Sequence, residues 1–320
     1  MTIISVFLLS GCGRTNHEKV TANGFYLDTF IDITAYDVKQ EVVDDALHQI
    51  AVYENLLSKT IEGSDVWNIN HANGQPVEVS DHTRNVIKAS KAVSEASDGA
   101  FDITIAPCVA LWDFKSDTPS LPDQEKLADA AKLTDYTKIK MEGNTVTLPA
   151  GMQIELGSIA KGYITDEIAA YCRSRGVKQG MLNFGGNVVV IGSRPDGQPW
   201  RVGIQDPKEP RGQSLIVLPA TNSAVASSGT YERGFTLDGV RYHHILDPET
   251  GWPVQNGLVS VTVLTTNSLI AEGYDTACFI MGLEKGMALV EANPDMEAVF
   301  IDDQDNMYFS EGLKQFAPRD

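Results

Sequence analysis

The sequence predicts an α+β fold: a single domain of mostly antiparallel strands with inserted helices. Three observations carry that expectation. Short apolar/polar alternations recur at hairpin spacing. Stretches with apolar residues at helical spacing interrupt them, instead of following every strand as a doubly wound parallel sheet requires. No internal period, low-complexity tract or Pro/Gly/Ser linker divides residues 20–320. At 320 residues, 42% hydrophobic and 8% aromatic, the chain has the length and apolar content for a sizeable core and lies outside the composition of disordered chains.

Residues 25–36 set Phe25, Leu27, Ile31 and Ile33 against Asp28, Asp32 and Thr34, the pattern of one half-buried strand. Val42, Val43, Ala46, Leu47, Ile50, Leu56 and Leu57 then recur at helical spacing, and residues 86–96 and 127–133 give two further amphipathic helices. Residues 136–148 read as a hairpin turning at Gly143-Asn144, and 159–172 as a helix stopped by Gly176. Short strands are expected around 181–190, 200–205, 215–218, 242–246 and 259–264. Two helices over 268–281 and 284–292 precede a last hairpin near 298–309.

Charge excludes one class of partner. With 25 Lys+Arg against 43 Asp+Glu, a formal charge of -18 and no basic cluster, the surface should repel nucleic acid and acidic headgroups. An anionic ligand would need a local basic group, a helix N-terminus or a bound cation. At the start of the chain, residues 6–10 form an apolar run too short to span a bilayer, ending in Leu9-Ser10-Gly11-Cys12 before the chain turns polar. It reads as the tail of a bacterial lipoprotein signal with Cys12 as lipid acceptor, the alternative being a terminus with a chance Cys. The first reading divides the chain into a signal segment at 1–12, a tether at 13–22 and the folded domain at 23–320. It places that domain outside the cytoplasm, anchored in the cell envelope on the periplasmic side of an inner membrane or the outer face of a Gram-positive one. Cys108, Cys172 and Cys278 lack metal or redox spacing and are expected to be buried small apolar residues.

Three constellations bear on chemistry. In Glu155-Leu156-Gly157-Ser158-Ile159-Ala160-Lys161-Gly162-Tyr163 a strand turns at Gly157 and opens a helix with Ser158 near its N-cap. That is either an anion site, with free N–H groups and Lys161 as a full charge, or an ordinary capped helix. Its Ser158-Ile159-Ala160-Lys161 also fits the S-x-x-K of penicillin-binding acylases, but the K-T-G and S-D-N those enzymes need are absent. Glu272, Asp275 and Thr276 stand at i, i+3 and i+4 on one helix face, either a hard-cation site suited to Mg²⁺ or a solvated acidic face. In Arg241-Tyr242-His243-His244-Ile245-Leu246-Asp247-Pro248-Glu249-Thr250-Gly251, strand alternation sends His243 and His244 to opposite faces ahead of a Pro/Gly turn. One of them would serve as a general base, or both are structural.

These segments, taken together with others, resemble the ApbE family, the bacterial FAD:protein FMN transferases. Leu27-Asp28-Thr29 stands where the family often has Met-Gly-Thr, and Leu57-Ser58 through Ser64 to Asn70 resembles its L-S…S…N segment. Ala100-Phe101-Asp102-Ile103-Thr104 with Pro107 and Leu111-Trp112 is similar to F-D-x-T…P…L-W. The run from Glu155 to Gly162 is similar to D-L-G-x-I-A-K-G, with Glu155 in place of Asp. Asn183-Phe184-Gly185-Gly186-Asn187, Ser227-Ser228-Gly229-Thr230-Tyr231-Glu232-Arg233 and the run from His244 to Gly251 follow in family order. The resemblance implies a flavin transferase that uses Mg²⁺ to cleave the FAD pyrophosphate, passes FMN to a Thr or Ser hydroxyl of a partner protein and leaves AMP. Implied partners are flavin-carrying subunits of membrane redox complexes of the Nqr and Rnf type. By position it implies metal contacts from Glu272, Asp275, Thr276 and the Ser158 carbonyl, and FAD contacts from Leu27, Thr60, Ala100, Phe101, Asp102, Glu155, Lys161 and Leu246. Glu272 stands where Asp is more usual, and Leu27 and Thr60 where Met and Tyr are commoner. His244 is the expected base. Two other functions share these features: a Mg²⁺-dependent FAD pyrophosphatase and a non-catalytic FAD-binding lipoprotein.

Overall fold

The computed structural model describes residues 17–116 and 118–317, so Cys12 and the signal segment lie outside the described residues. The chain opens with β1 (Lys19–Tyr26) and β2 (Thr29–Tyr36), followed by α1 (Gln40–Leu57), α2 (Asp65–His71), β3 (Val77–Glu78) and α3 (Asp81–Ala96). After α4 (Ala106–Val109) and α5 (Gln124–Ala131), β4 (Lys140–Glu142) and β5 (Thr145–Thr147) make a small sheet with β3. Then come α6 (Ala160–Ser174), β6 (Gly180–Phe184), β7 (Asn187–Ile191), a hairpin of β8 (Trp200–Gln205) and β9 (Ser214–Ala220), and β10 (Ala224–Gly229). A short hairpin of β11 (Gly234–Leu237) and β12 (Val240–His243) leads to β13 (Leu258–Thr265), α7 (Ser268–Met281), α8 (Leu283–Glu291), β14 (Glu297–Asp302) and β15 (Met307–Phe309).

Eight strands form one antiparallel sheet in the order β1-β2-β6-β7-β10-β13-β14-β15. The expected α+β class holds. The main core lies on one face of the sheet, where Ile31, Ile33, Leu182 and Val263 pack with Ile50, Ile164, Ile168 and Phe279 of the helices. Each residue buried from that alternating set removes a side chain from water, worth about 1.5–3 kcal/mol apiece. On the other face the β8–β9 hairpin lays Trp200 and Val202 over Val188, Val190 and Val225. Cys108, Cys172 and Cys278 are buried and unpaired, as the sequence indicates.

Three strand expectations change. Residues 25–36 are two strands, joined by Leu27 and Asp28 at φ 53° and 60°. A two-residue loop with both φ positive usually announces itself as Asn-Gly or Asp-Gly. Leu-Asp carries no such signal, so the alternation reads straight through the turn. The first strand also begins at Lys19, within the stretch read as a tether. The 181–190 run splits in the same way at Gly185-Gly186, at φ 62° and 106°. The strand expected over 242–246 ends at His243. Strand β10 was invisible in the sequence because Ala224, Val225 and Ala226 are all buried, which removes the alternation.

Candidate active site

The hairpin turn of β1–β2, the Gly185-Gly186 turn and the C-terminal end of β10 meet at one end of the sheet. A Cβ on Gly185 would lie 2.0 Å from Thr29 Oγ1, a measure of how tightly two of these turns pack. Beneath them α6 and α7 cross. A Cβ at Gly162 would lie 2.3 Å from the Ser268 carbonyl oxygen, so only glycine lets the two backbones approach this closely. Three bonds then fix the start of α7. Both Asp166 carboxylate oxygens accept backbone N–H groups, from Ser268 and Leu269 at 2.9 Å each, and Asn267 caps Ile270 N at 2.9 Å.

That crossing brings the acidic residues of α7 to the start of α6. Glu272 Oε2 accepts the Gly162 N–H at 2.6 Å, and Oε1 pairs with the Lys161 ammonium. One turn on, Asp275 Oδ1 accepts from Ser228 Oγ at 2.8 Å and from Thr276 Oγ1 at 3.1 Å. Glu272 and Asp275 are 3% and 1% exposed, so the solvated acidic face is ruled out. Burial first, and the Glu272 carboxylate second, push the Asp275 carboxyl well above the usual carboxylate range. Two buried acids this close call for positive charge, and Lys161 is the positive charge they have.

The helix end differs from its expected form. Ile159, not Ser158, is the N-cap of α6, and no side chain caps it. The anion at this end is Glu272 from the neighbouring helix, which draws the free N–H of Gly162 for the same electrostatic reason a phosphate would. Because Gly162 N–H donates to Glu272, it does not close on the Ser158 carbonyl four residues back, and that oxygen remains available to a cation. The two carboxylates, the Thr276 hydroxyl and the Ser158 carbonyl are all hard oxygen donors, the ligand chemistry that Mg²⁺ prefers. Among the described residues, no three His, Cys, Asp or Glu side chains converge as a metal site. A metal held by the two acids of α7 would need neutral oxygens as its further ligands.

His243 and His244 diverge as alternation requires. His243 is buried, its Nε2 donates to Val254 O at 2.9 Å, and its ring meets Phe279 edge-on at 5.7 Å, so its role is structural. His244 is half-buried, with its backbone N at 3.2 Å and its Nδ1 at 3.3 Å from the Arg233 carbonyl. Nδ1–H therefore donates to that carbonyl, leaving the Nε2 lone pair free. Desolvation, helped by the charges of Arg233 and Lys161 against that hydrogen bond, lowers His244 to about 4. At neutral pH it is an unprotonated base.

The remaining residues fall into adjoining segments. Glu155 N donates to Ile103 O at 2.8 Å, which ties Ala100, Phe101 and Asp102 to the chain entering α6, and the Glu155 carboxylate pairs with Lys59. Asp102 is buried and fixes its loop, accepting from Thr104 N at 2.7 Å and Tyr136 N at 2.8 Å. Thr60 is exposed beside Lys59. Leu246 packs in an aromatic cluster with Trp112 and Phe235, where Trp112 Nε1 donates to Gly251 O at 2.9 Å and fixes the Asp-Pro-Glu-Thr-Gly turn. Leu27 N donates to Glu54 Oε1 at 3.0 Å. Ser228, Arg233, Asp166 and Asp28 were not singled out from the sequence. Ser228 and Arg233 lie in the Ser227–Arg233 run, whose place in the family order was the signal available for them.

The profile of the ApbE family matches residues 27–300. The chain is 36% identical over 273 residues to an FAD:protein FMN transferase of Klebsiella pneumoniae, covering 84% of each chain. It is 33% identical to one of Vibrio cholerae, covering 99% of this chain and 98% of that one. The solved flavin transferase ApbE from Vibrio cholerae superposes at a TM-score of 0.84 with 30% identity, over 94% of this chain and 99% of that one. The ApbE protein of Thermotoga maritima superposes at 0.86 with 31% identity, over 94% and 100%. With the family profile matched over residues 27–300 and both sequence and fold shared with these proteins over most of their length, the chain belongs to the ApbE family.

Proposed function

We propose that this chain transfers the FMN moiety of FAD to a Thr or Ser hydroxyl of a partner protein and releases AMP. The observation that carries the reading is the buried Glu272–Asp275 pair with Lys161 at the start of α6, within a chain aligned almost end to end with proteins named FAD:protein FMN transferases. A protein at -18 repels the doubly anionic FAD pyrophosphate, so positive charge must be supplied locally. Lys161 supplies one charge. Glu272, Asp275, Thr276 and the Ser158 carbonyl would hold Mg²⁺, which when bound neutralises pyrophosphate charge. FAD would be bound by Lys161, by Glu155 with Ala100, Phe101 and Asp102, and by Leu27, Thr60 and Leu246.

His244 Nε2 takes the proton of the acceptor hydroxyl as its oxygen attacks the FMN-side phosphorus. The bond from that phosphorus to the bridging oxygen breaks, and AMP leaves with the electron pair. The Arg233 carbonyl holds the imidazole in the tautomer that can accept. Acceptors of this chemistry are flavin-carrying subunits of membrane redox complexes, of the Nqr and Rnf type.

Incubating the chain with FAD, Mg²⁺ and such an acceptor domain should add the mass of one FMN to the acceptor. Free FMN and AMP with no gain in acceptor mass would instead favour hydrolysis. Asp275→Asn should raise the Mg²⁺ concentration for half-maximal activity at least tenfold, roughly the loss seen on weakening metal sites. An unaltered Mg²⁺ titration would remove Asp275 from the metal site. Cys12, after Leu9-Ser10-Gly11, is proposed as the lipid attachment point that holds the domain in the cell envelope. Cys12→Ser should move the protein from membrane to soluble fractions, and retention in the membrane would refute the anchor.

A further inference from the structure

We propose that the side-chain amide of Asn187 is a further substrate contact of this site, donating a hydrogen bond to a phosphoryl oxygen of FAD. The inference rests on the transferase reading above. Asn187 is the first residue of β7 and is 2% exposed, yet its Nδ2 finds no hydrogen-bond partner among the described residues. Its neighbours make that unusual. Across the main sheet Ile31 pairs with Phe184, Phe184 with Asn187, Ala226 with Val263 and Val263 with Ala298. Ala226 stands across from Asn187, one residue beyond the Val188–Val225 pair. Ile31, Phe184, Ala226, Val263 and Ala298 are fully buried members of the main core. Asn187 is the one polar side chain in that row.

Strand alternation aims the amide. Val189 and Ile191 take the helix side of the sheet and Val188 and Val190 the hairpin side, so Asn187 points with the first pair toward α6 and α7. On the same face of β10, two residues beyond Ala226, stands Ser228, whose Oγ donates to Asp275 Oδ1 at 2.8 Å. Asn187 and Ser228 are therefore diagonal neighbours, about 7–8 Å apart. The Gly185-Gly186 turn just before Asn187 sets it at the site end of the sheet. Its depth also matches the acids, at 2% exposed against 3% for Glu272 and 1% for Asp275. Trp200 and Ser260 also carry a buried unpartnered group, but both belong to the opposite face of the sheet.

The chemistry of the orphan atom selects its partner. An amide N–H donates and cannot ligate a cation, so it waits for an acceptor and not for a metal. The carboxylates of this layer are already engaged: Glu272 accepts from Lys161 and from the Gly162 N–H, and Asp275 Oδ1 accepts from Ser228 and Thr276. A pyrophosphate brought to the acid pair supplies further charged oxygens that need donors. A neutral donor answers one of them without competing for the carboxylates as a second lysine would. For the free protein the arrangement is unfavourable, because an apolar side chain of the same shape would be neutral or better in this row. A ligand that fills the donor accounts for its retention.

Two measurements on the full chain test this in wild type, Asn187→Leu and Asn187→Ala: thermal unfolding of the free protein, and affinity for FAD in Mg²⁺ by flavin fluorescence. Free Asn187→Leu should unfold at or above the wild-type midpoint, since it removes the orphan donor from an apolar row. Its FAD affinity should nevertheless fall roughly tenfold or more, the loss expected for a hydrogen bond to a charged group. Asn187→Ala, too small to clash, should lose affinity to a similar extent. ADP carries the pyrophosphate without the flavin and should weaken by a similar factor. Unchanged FAD affinity in both variants would overturn the proposal. So would a loss for FAD with ADP unaffected, which would move the contact to the flavin. A midpoint several degrees below wild type in Asn187→Leu, with FAD affinity kept in Asn187→Ala, would make the amide structural. If wild type itself binds no FAD, the transferase reading fails and this contact falls with it; FAD binding that both variants retain removes only the contact.

Discussion

His244→Ala is expected to lower FMN transfer by about 10²–10⁴-fold, the usual contribution of a positioned general base, while FAD affinity stays the same. The imidazole is held by the Arg233 backbone, and the hydrogen bonds of Lys161, Glu272 and Asp275 run to other partners, so its removal leaves the anion-binding charges in place. The sign of the pH dependence follows from its lowered value of about 4. Rate is lost only when Nε2 is protonated, so the acid limb of the wild-type profile should lie well below the ordinary histidine value near 6.5. A transfer rate in His244→Ala equal to wild type, measured with acceptor and FAD both saturating, would remove the residue from the reaction. An acid limb centred near 6.5 would show that its surroundings do not perturb it.

Gly162→Ala is expected to cost both the fold and the site. Its methyl would sit 2.3 Å from the Ser268 carbonyl oxygen and 2.8 Å from Leu269 Cα, and neither is a side chain that can swing aside. The helices must separate, at about 3 kcal/mol or more for overpacking against backbone. The same displacement breaks the 2.6 Å bond from Gly162 N to Glu272 and moves Lys161, so activity should fall in whatever fraction still folds. Thermal unfolding followed by circular dichroism should show a midpoint lower by several degrees. A midpoint within one degree of wild type would mean that the crossing of α6 and α7 tolerates a Cβ.

Much of this arrangement is legible in the sequence where it depends on local chemistry. Helix α7 matches its expected bounds because Asn267 caps it and Gly282, at φ 82°, stops it. The face shared by Glu272, Asp275 and Thr276 follows from helical spacing alone. What spacing does not reveal is the partner across the fold. Lys161 and Glu272 are 111 residues apart, and only the close approach at Gly162 decides that the lysine meets the acid. His244 could be named from its motif, yet its orientation rests on a backbone carbonyl, which has no residue signature. The Leu27-Asp28 turn escaped notice for the reverse reason: Leu27, a residue type that ordinarily avoids positive φ, is held there beside Asp28, whose carboxylate is paired with Arg233 and Lys115.

In the proposed reaction, acids from α7, a lysine at the start of α6 and His244 act together to move FMN onto a protein hydroxyl. Intact mass of an acceptor domain after incubation with the chain, FAD and Mg²⁺ tests it most directly. A gain of one FMN per acceptor is expected, absent with EDTA and greatly slowed by His244→Ala. Unchanged acceptor mass across flavin-subunit acceptors, with FAD consumed to FMN and AMP, would contradict it.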